Sequence, residues 1–357
     1  MGNTEQQKNR DQEEQILELD QELSESDQEL PELDQELLDR KVVGFPPYQN
    51  KPNGLGIYNW ILKNILYMSK KRWPLALKLY HLFVKYSVWM KVGGWKARLY
   101  KKAIRLYPDK VRPTGTVVMP LQVDITDQSR KTVVPLDMIK ESLKRVEYIA
   151  GMDKCLCRDA NDCKEYPHDL GCLFLGEAAK IVVKHELGRR FTYEEACARV
   201  DEAAKEGLIG QAVWIEVEQM LWGVPNDLMD HFMEICFCCP CCCIAMRLAR
   251  NATEKERHRF HPSGWTAVVD PAKCVGCGDC IQGRNGCPVE ALTPGEDGKM
   301  IIDRELCVGC GVCRSRCGHD AIQIRQTMPM RRGIQEYFRE EYNLDLKLGK
   351  EDEEELV

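Results

Sequence analysis

"CVGCGDCIQGRNGCP" (Cys274–Pro288) and "CVGCGVCRSRCG" (Cys307–Gly318) decide how the C-terminal part of this chain folds. Each opens on CxxCxxC, and the second repeats the first 33 residues later. The short spacers let one loop wrap three thiolates around three irons of a four-iron cubane. Gly276, Gly278, Gly309 and Gly311 allow the tight turns that aim backbone N–H groups at the sulfurs. A fourth thiolate must come from outside each triplet. Cys287 and Cys317 are available for it. Zinc is the competing reading for any CxxC pair, but eight cysteines in a duplicated pattern argue against it.

The pattern resembles the bacterial two-cluster ferredoxin, in which the fourth cysteine of each run ligates the other run's cluster. On that resemblance, Cys274, Cys277, Cys280 and Cys317 hold one 4Fe-4S cluster. Cys307, Cys310, Cys313 and Cys287 hold a second. This chain departs from the family in two places. Six residues rather than three separate Cys280 from Cys287, and Gly318 rather than proline follows Cys317. Both departures leave the ligand count intact and alter loop shape. Short strands are predicted at Thr266–Val269, Ala291–Thr293, Met300–Ile302 and Ala321–Ile324.

Upstream lie eleven further cysteines. Cys197 shares a predicted helix face with Val200 and Ala204 and reads as a small core residue. The other ten form two groups: Cys155, Cys157, Cys163 and Cys172, then Cys236, Cys238, Cys239, Cys241, Cys242 and Cys243 in "ICFCCPCCCIAM" (Ile235–Met246). Pro240 suits the first position of a helix running to Arg250. Cys236 and Cys238 precede it in extended chain, on one side. Cys241–Cys243 would then sit at the helix N-terminus, where the dipole lowers thiol pKa. A further iron-sulfur centre drawing on both groups is the preferred reading, and ten thiols could hold two. A zinc site and a metal-free redox dithiol are the alternatives. His168 reads as an ordinary core or surface histidine rather than a ligand. Arg158 reads either as a counter-charge to a cluster or as a surface arginine. The whole layout over residues 115–325 is similar to a group of anaerobe 4Fe-4S dicluster proteins, which implies electron transfer without naming a substrate.

The totals fit. Nineteen cysteines in 357 residues is an odd number and far above ordinary usage. No secretory signal opens the chain, so the thiols read as metal ligands in a reducing compartment, the cytoplasm. No uncharged apolar run reaches the ~20 residues a spanning helix needs. No phosphate-binding or dinucleotide glycine motif is present. Charge is segregated. Residues 1–40 carry 14 Asp and Glu against 3 Lys and Arg. Their DQEL heptads are broken at Pro31, so a solvated acidic tail is the better reading than a coiled coil. Residues 41–108 carry 14 Lys and Arg and no acid, with four tryptophans and an apolar period at Leu75, Leu79, Leu82, Phe83 and Tyr86. Basic amphipathic helices broken near Pro74 and Gly93-Gly94 are predicted there. A membrane surface and a redox partner protein are equal candidates for what they dock on; nucleic acid ranks last for want of a motif.

The expected fold is α+β. An acidic tail (1–40) and a basic helical region (41–110) precede a mainly helical cysteine-rich domain (111–255). A two-cluster ferredoxin domain (256–330) and a C-terminal helix with an acidic tail (331–357) follow. Helices are predicted over Pro135–Ile149, Gly171–Leu187 and Tyr193–Gly207, the last opened by a Thr192/Glu195 capping box. The expected role is a relay of single electrons. A reductase whose upstream thiol centre performs the chemistry is the alternative.

Overall fold

The computed structural model describes residues 67–104, 115–122, 135–215, 221–251, 260–283, 285–327, 331 and 333–349. The acidic heptads at 20–37 lie outside them.

A seven-stranded sheet, most of it built from buried apolar runs, stands where a mainly helical domain was expected. Its strands are β1 (Gly115–Pro120), β2 (Ile149–Met152), β3 (Leu173–Leu175), β4 (Gly188–Phe191), β5 (Ile209–Trp214), β6 (Met233–Cys238) and β7 (Phe260–Pro262), in the order β4-β2-β3-β6-β5-β1-β7. All neighbours pair antiparallel except β1 with β7. The correction has a physical cause. β1, β2, β3 and β5 are buried along their whole length, so they lack the polar alternation that marks a half-exposed strand. The helix predicted over Gly171–Leu187 is instead β3, a single 3-10 turn (Glu177–Ala179) and a five-residue helix (Lys180–Lys184).

Described helices in chain order are α1 (Trp73–Tyr86), α2 (Trp89–Val92), α3 (Gly94–Ile104), α4 (Pro135–Lys144), α5 (Leu156–Ala160), α6 (Lys180–Lys184), α7 (Tyr193–Lys205), α8 (Ile244–Asn251), α9 (Val312–Ser315) and α10 (Ile334–Tyr342). α7 opens on the predicted capping box: Thr192 Oγ1 accepts from Glu195 N at 3.2 Å, and Glu195 Oε2 accepts from Thr192 N at 2.9 Å. Cys197 sits at the edge of its buried face, which is Ala196, Val200 and Ala203. Pro74 starts α1 rather than breaking it, because proline is tolerated in a first turn.

The sheet separates two cores. Val117, Met119, Ile235 and Phe237 pack on one side with α4, α7 and α10. Val118, Cys238 and α8 pack on the other, together with the cysteine loops at 274–317. Alternation along β1 and β6 produces this division. Two antiparallel ribbons complete the C-terminal lobe: β9 (Leu292–Pro294) with β10 (Met300–Ile302), and β8 (Trp265–Val269) with β11 (Ile322–Gln326). These four strands lie within a residue or two of their predicted positions. Beyond α10 the chain is no solvated tail through 348: Leu344, Leu346 and Leu348 are buried, and Lys347 N donates to Asp230 O at 2.8 Å.

A candidate iron-sulfur site and two upstream thiol clusters

The first CxxCxxC run folds as a loop, and the second does so up to Gly311, where α9 begins and carries Cys313; glycine holds the left-handed turns. Gly276, Gly278, Gly309 and Gly311 all have positive φ. Gly309 is the most constrained: a Cβ there would overlap the Trp265 carbonyl of β8. The loops line two neighbouring cavities. Cys307, Cys310, Cys313 and Cys287 line one, walled by Ala267, Val289 and Ile302. Cys274, Cys277, Cys280 and Cys317 line the other. Backbone amides reach three of these sulfurs. Ala291 N donates to Cys287 Sγ, Met300 N to Cys274 Sγ and Ala321 N to Cys317 Sγ, each at 3.3 Å. Burial raises the Cys313 thiol well above its ordinary value and pushes Cys280 up to about 11. Thiols this costly to ionise by themselves suit a metal, which deprotonates them on binding. The donor set, the aimed amides and the burial fit an iron-sulfur cluster.

The ten upstream thiols converge, but not into one site. Cys163, from the loop after α5, meets Cys239, Cys241 and Cys242, from the turn between β6 and α8. All four sulfurs lie within 4.8 Å of one another, and all four residues are buried. Cys163 Sγ is 3.7 Å from Cys241 Sγ, and Cys241 Sγ is 3.4 Å from Cys242 Sγ. The other six are strung in a line. Cys155 contacts Cys157, Cys157 contacts Cys243, Cys243 contacts Cys238 and Cys238 contacts Cys236. Cys172 ends the line, its Sγ donating to Cys236 Sγ at 3.2 Å. The quartet shares the core of the helical face, whereas Cys238 and Cys243 share the core of the C-terminal cysteine loops.

Pro240 stands in a turn, and the helix begins only at Ile244. Cys241 and Cys242 therefore precede the helix instead of starting it. The Cys241 thiol is pushed up to about 12, first by hydrogen bonding with Cys239 and then by burial. That reverses the lowering expected from a helix dipole. Cys236 and Cys238 do lie on one side of an extended strand, as predicted.

Arg158 is the only fully buried guanidinium among the described residues. It donates from Nη1 to Phe237 O at 2.6 Å and from Nη2 to Leu170 O, and its Nε has no partner. No carboxylate pairs with it among the described ion pairs. Burial would lower its pKa, yet the net shift is upward, because Cys155, Cys239, Cys172 and Cys238 surround it. Those neighbours belong to both thiol groups. A cation of this kind costs several kcal/mol to bury unless anions offset it. Thiolates are the available anions.

His168 is not placed to ligate. Its Nε2 faces Cys163 O at 2.8 Å and its Nδ1 faces Asp159 Oδ1 at 3.3 Å, which braces the loop carrying Cys163. Three residues that the sequence did not single out border the line of six. Glu234 Oε2 accepts from Cys236 Sγ at 3.4 Å, Gln211 Nε2 donates to Cys243 Sγ at 3.5 Å, and the buried Tyr80 hydroxyl lies beside Cys157 without a well-directed hydrogen bond. Only the register Gln211↔Cys236 brings Gln211 there, and a single strand's sequence does not reveal it.

Comparison with known families matches the 4Fe-4S binding domain over residues 300–323, a span that contains Cys307, Cys310, Cys313 and Cys317. Comparisons with curated proteins and with solved structures give no match. The chain thus carries an iron-sulfur, ferredoxin-like domain near its C-terminus, and its cysteine clusters fit iron-sulfur electron transfer. No described helix is long and apolar enough to cross a membrane.

Proposed function

We propose that the protein is a multi-centre electron carrier of a reducing compartment, with two 4Fe-4S clusters in the C-terminal lobe and further cysteine-ligated metal upstream. One observation carries the reading: each cavity is lined by three cysteines of one CxxCxxC run and the distant cysteine of the other. Cys274, Cys277, Cys280 and Cys317 would hold one cluster, and Cys307, Cys310, Cys313 and Cys287 the second. Such clusters supply one-electron transfer, at potentials set by hydrogen bonds to sulfur and by burial. The chain's own contribution is the set of amides on Cys274, Cys287 and Cys317, together with dry apolar walls. Cys238 and Cys243 share a core with both loops, so the line of six thiols stands next in the path. Arg158 supplies positive charge between the upstream groups. Iron and acid-labile sulfide per chain, with EPR of the reduced protein, test this. Fewer than eight irons in anaerobically prepared protein rules out the pair of cubanes.

The surplus of thiols favours a second reading, a reductase acting at the line of six. Its test is turnover of a disulfide or similar acceptor by the reduced chain. Substituting Cys172 and Cys236 should abolish turnover while both C-terminal EPR signals persist.

The basic arm is the proposed docking element, and an anionic membrane surface is its proposed target. Ala76, Tyr80 and Val84 of α1 face the core. The predicted stripe Leu75, Leu79 and Leu82 is exposed, and so are Val92, Trp95 and Leu99 further along the arm. Lysines and arginines flank this apolar surface with no acid among residues 67–104. Each cation near an anionic leaflet adds ~1 kcal/mol.

A further inference from the structure

We propose that Cys163, Cys239, Cys241 and Cys242 form a separate mononuclear site, taking one thiophilic divalent ion in tetrathiolate coordination. This inference rests on the reading that the upstream thiols hold metal. It adds that they hold it in two unlike ways.

Spacing carries the argument. A metal–sulfur bond of ~2.3 Å in a tetrahedron sets a sulfur–sulfur edge of about 3.8 Å. The quartet already stands at that scale, with edges of 3.7 and 3.4 Å and every pair within 4.8 Å. The cysteines that line the two C-terminal cavities do not close in this way: among the described residues no three of them come within 4.8 Å of one another. Their sulfurs stand apart around a space, as ligands of separate irons must. The same chain therefore shows both spacings, and the quartet has that of a single ion.

Topology agrees. The quartet lies in the core on the helical side of the sheet, away from the core shared by Cys238, Cys243 and the ferredoxin loops. It joins the loop after α5 to the β6–α8 turn. A closed four-coordinate site of this kind is the structural type, with no open position. Binding displaces four thiol protons to solvent and leaves a complex of net charge −2. The buried Arg158 guanidinium, whose electrostatic neighbours include Cys239, offsets part of that charge. Zinc and ferrous iron both meet this chemistry, and one experiment can tell them apart.

The test is metal and sulfide analysis of the full chain, prepared anaerobically, for wild type and C163S/C241S. The expected result is the loss of one metal ion per chain with acid-labile sulfide unchanged and both C-terminal EPR signals retained. Loss of several irons together with sulfide would show a cluster in the quartet and overturn the proposal. So would no loss of metal. Should the double variant fail to fold, the wild type decides. Zinc-edge absorption should show four sulfurs at about 2.3 Å, or Mössbauer spectra should show a mononuclear iron tetrathiolate. If clusters account for all the metal, the proposal is wrong. An iron count below eight in wild type would instead sink the two-cubane reading, and leave the one-ion difference readable.

Discussion

Arg158 concentrates the electrostatics of the upstream region in one residue. Its guanidinium is fully buried among thiols of both groups. Arg158→Leu should destabilise the metal-loaded chain by about 3–5 kcal/mol, the usual cost of stripping one partner from a buried charge set. Chemical denaturation of the loaded protein checks this, and the metal-free chain should lose much less. Gly309 makes a steric prediction. A side chain there meets both a positive φ and the Trp265 carbonyl. Gly309→Ala should therefore displace the loop carrying Cys307 and Cys310. One cubane's share of iron and sulfide should be lost, while the cluster bounded by Cys274, Cys277 and Cys280 survives. His185 adds a pH dependence. Burial lowers its pKa, and its Nδ1–H donates to Met68 O at 2.9 Å. The unfolded chain then takes up this proton at a higher pH than the folded one. The contribution is complete above the ordinary value of 6.5 and is lost as pH falls through the depressed folded value. Urea midpoints should drop between pH 7.5 and pH 5.5, and His185→Gln should flatten that drop.

Among the elements, legibility followed burial pattern. The CxxCxxC loops were legible because spacing alone constrains ligation, and the ribbon strands because turn residues bound them. The α7 start was legible from Thr192 and Glu195. Apart from the extended stretch that carries Cys236 and Cys238, most strands of the large sheet were not. "LGCLFLGEAAKIVV" (Leu170–Val183) is apolar but for Glu177 and Lys180, so no period separates β3 from a buried helix. β1 finds its partner β5 far along the chain (Gly115↔Trp214), a pairing no local signal announces. The ten upstream ligand candidates were legible as a set, but their division into four and six depends on where β6 ends. The arm had the reverse problem. Its period is clear, yet two apolar stripes compete. Tyr80 and Val84 turn inward, and Leu75, Leu79 and Leu82 remain at the surface. Replacing Leu79, Val92 and Trp95 with glutamate should abolish co-sedimentation with vesicles of anionic lipid and leave the iron content unchanged. Unaltered binding would point to protein docking instead.

At the scale of the molecule, the sheet separates the quartet from the ferredoxin loops, and the line of six runs between the two cores. Cys238 and Cys243 carry the upstream thiols into the core of the ferredoxin loops, and Cys239, Cys241 and Cys242 turn back into the helical core. The line of six thus spans both cores, with Cys157 and Cys172 against the helical core and Cys236, Cys238 and Cys243 against the ferredoxin loops, while the quartet stays in the helical core alone. The relay depends on the C-terminal lobe holding two clusters. The direct measurement is iron and acid-labile sulfide per chain in anaerobically purified protein, with EPR after reduction. At least eight irons and two interacting one-electron signals are predicted. Fewer than eight irons, or a single isolated signal, would contradict it.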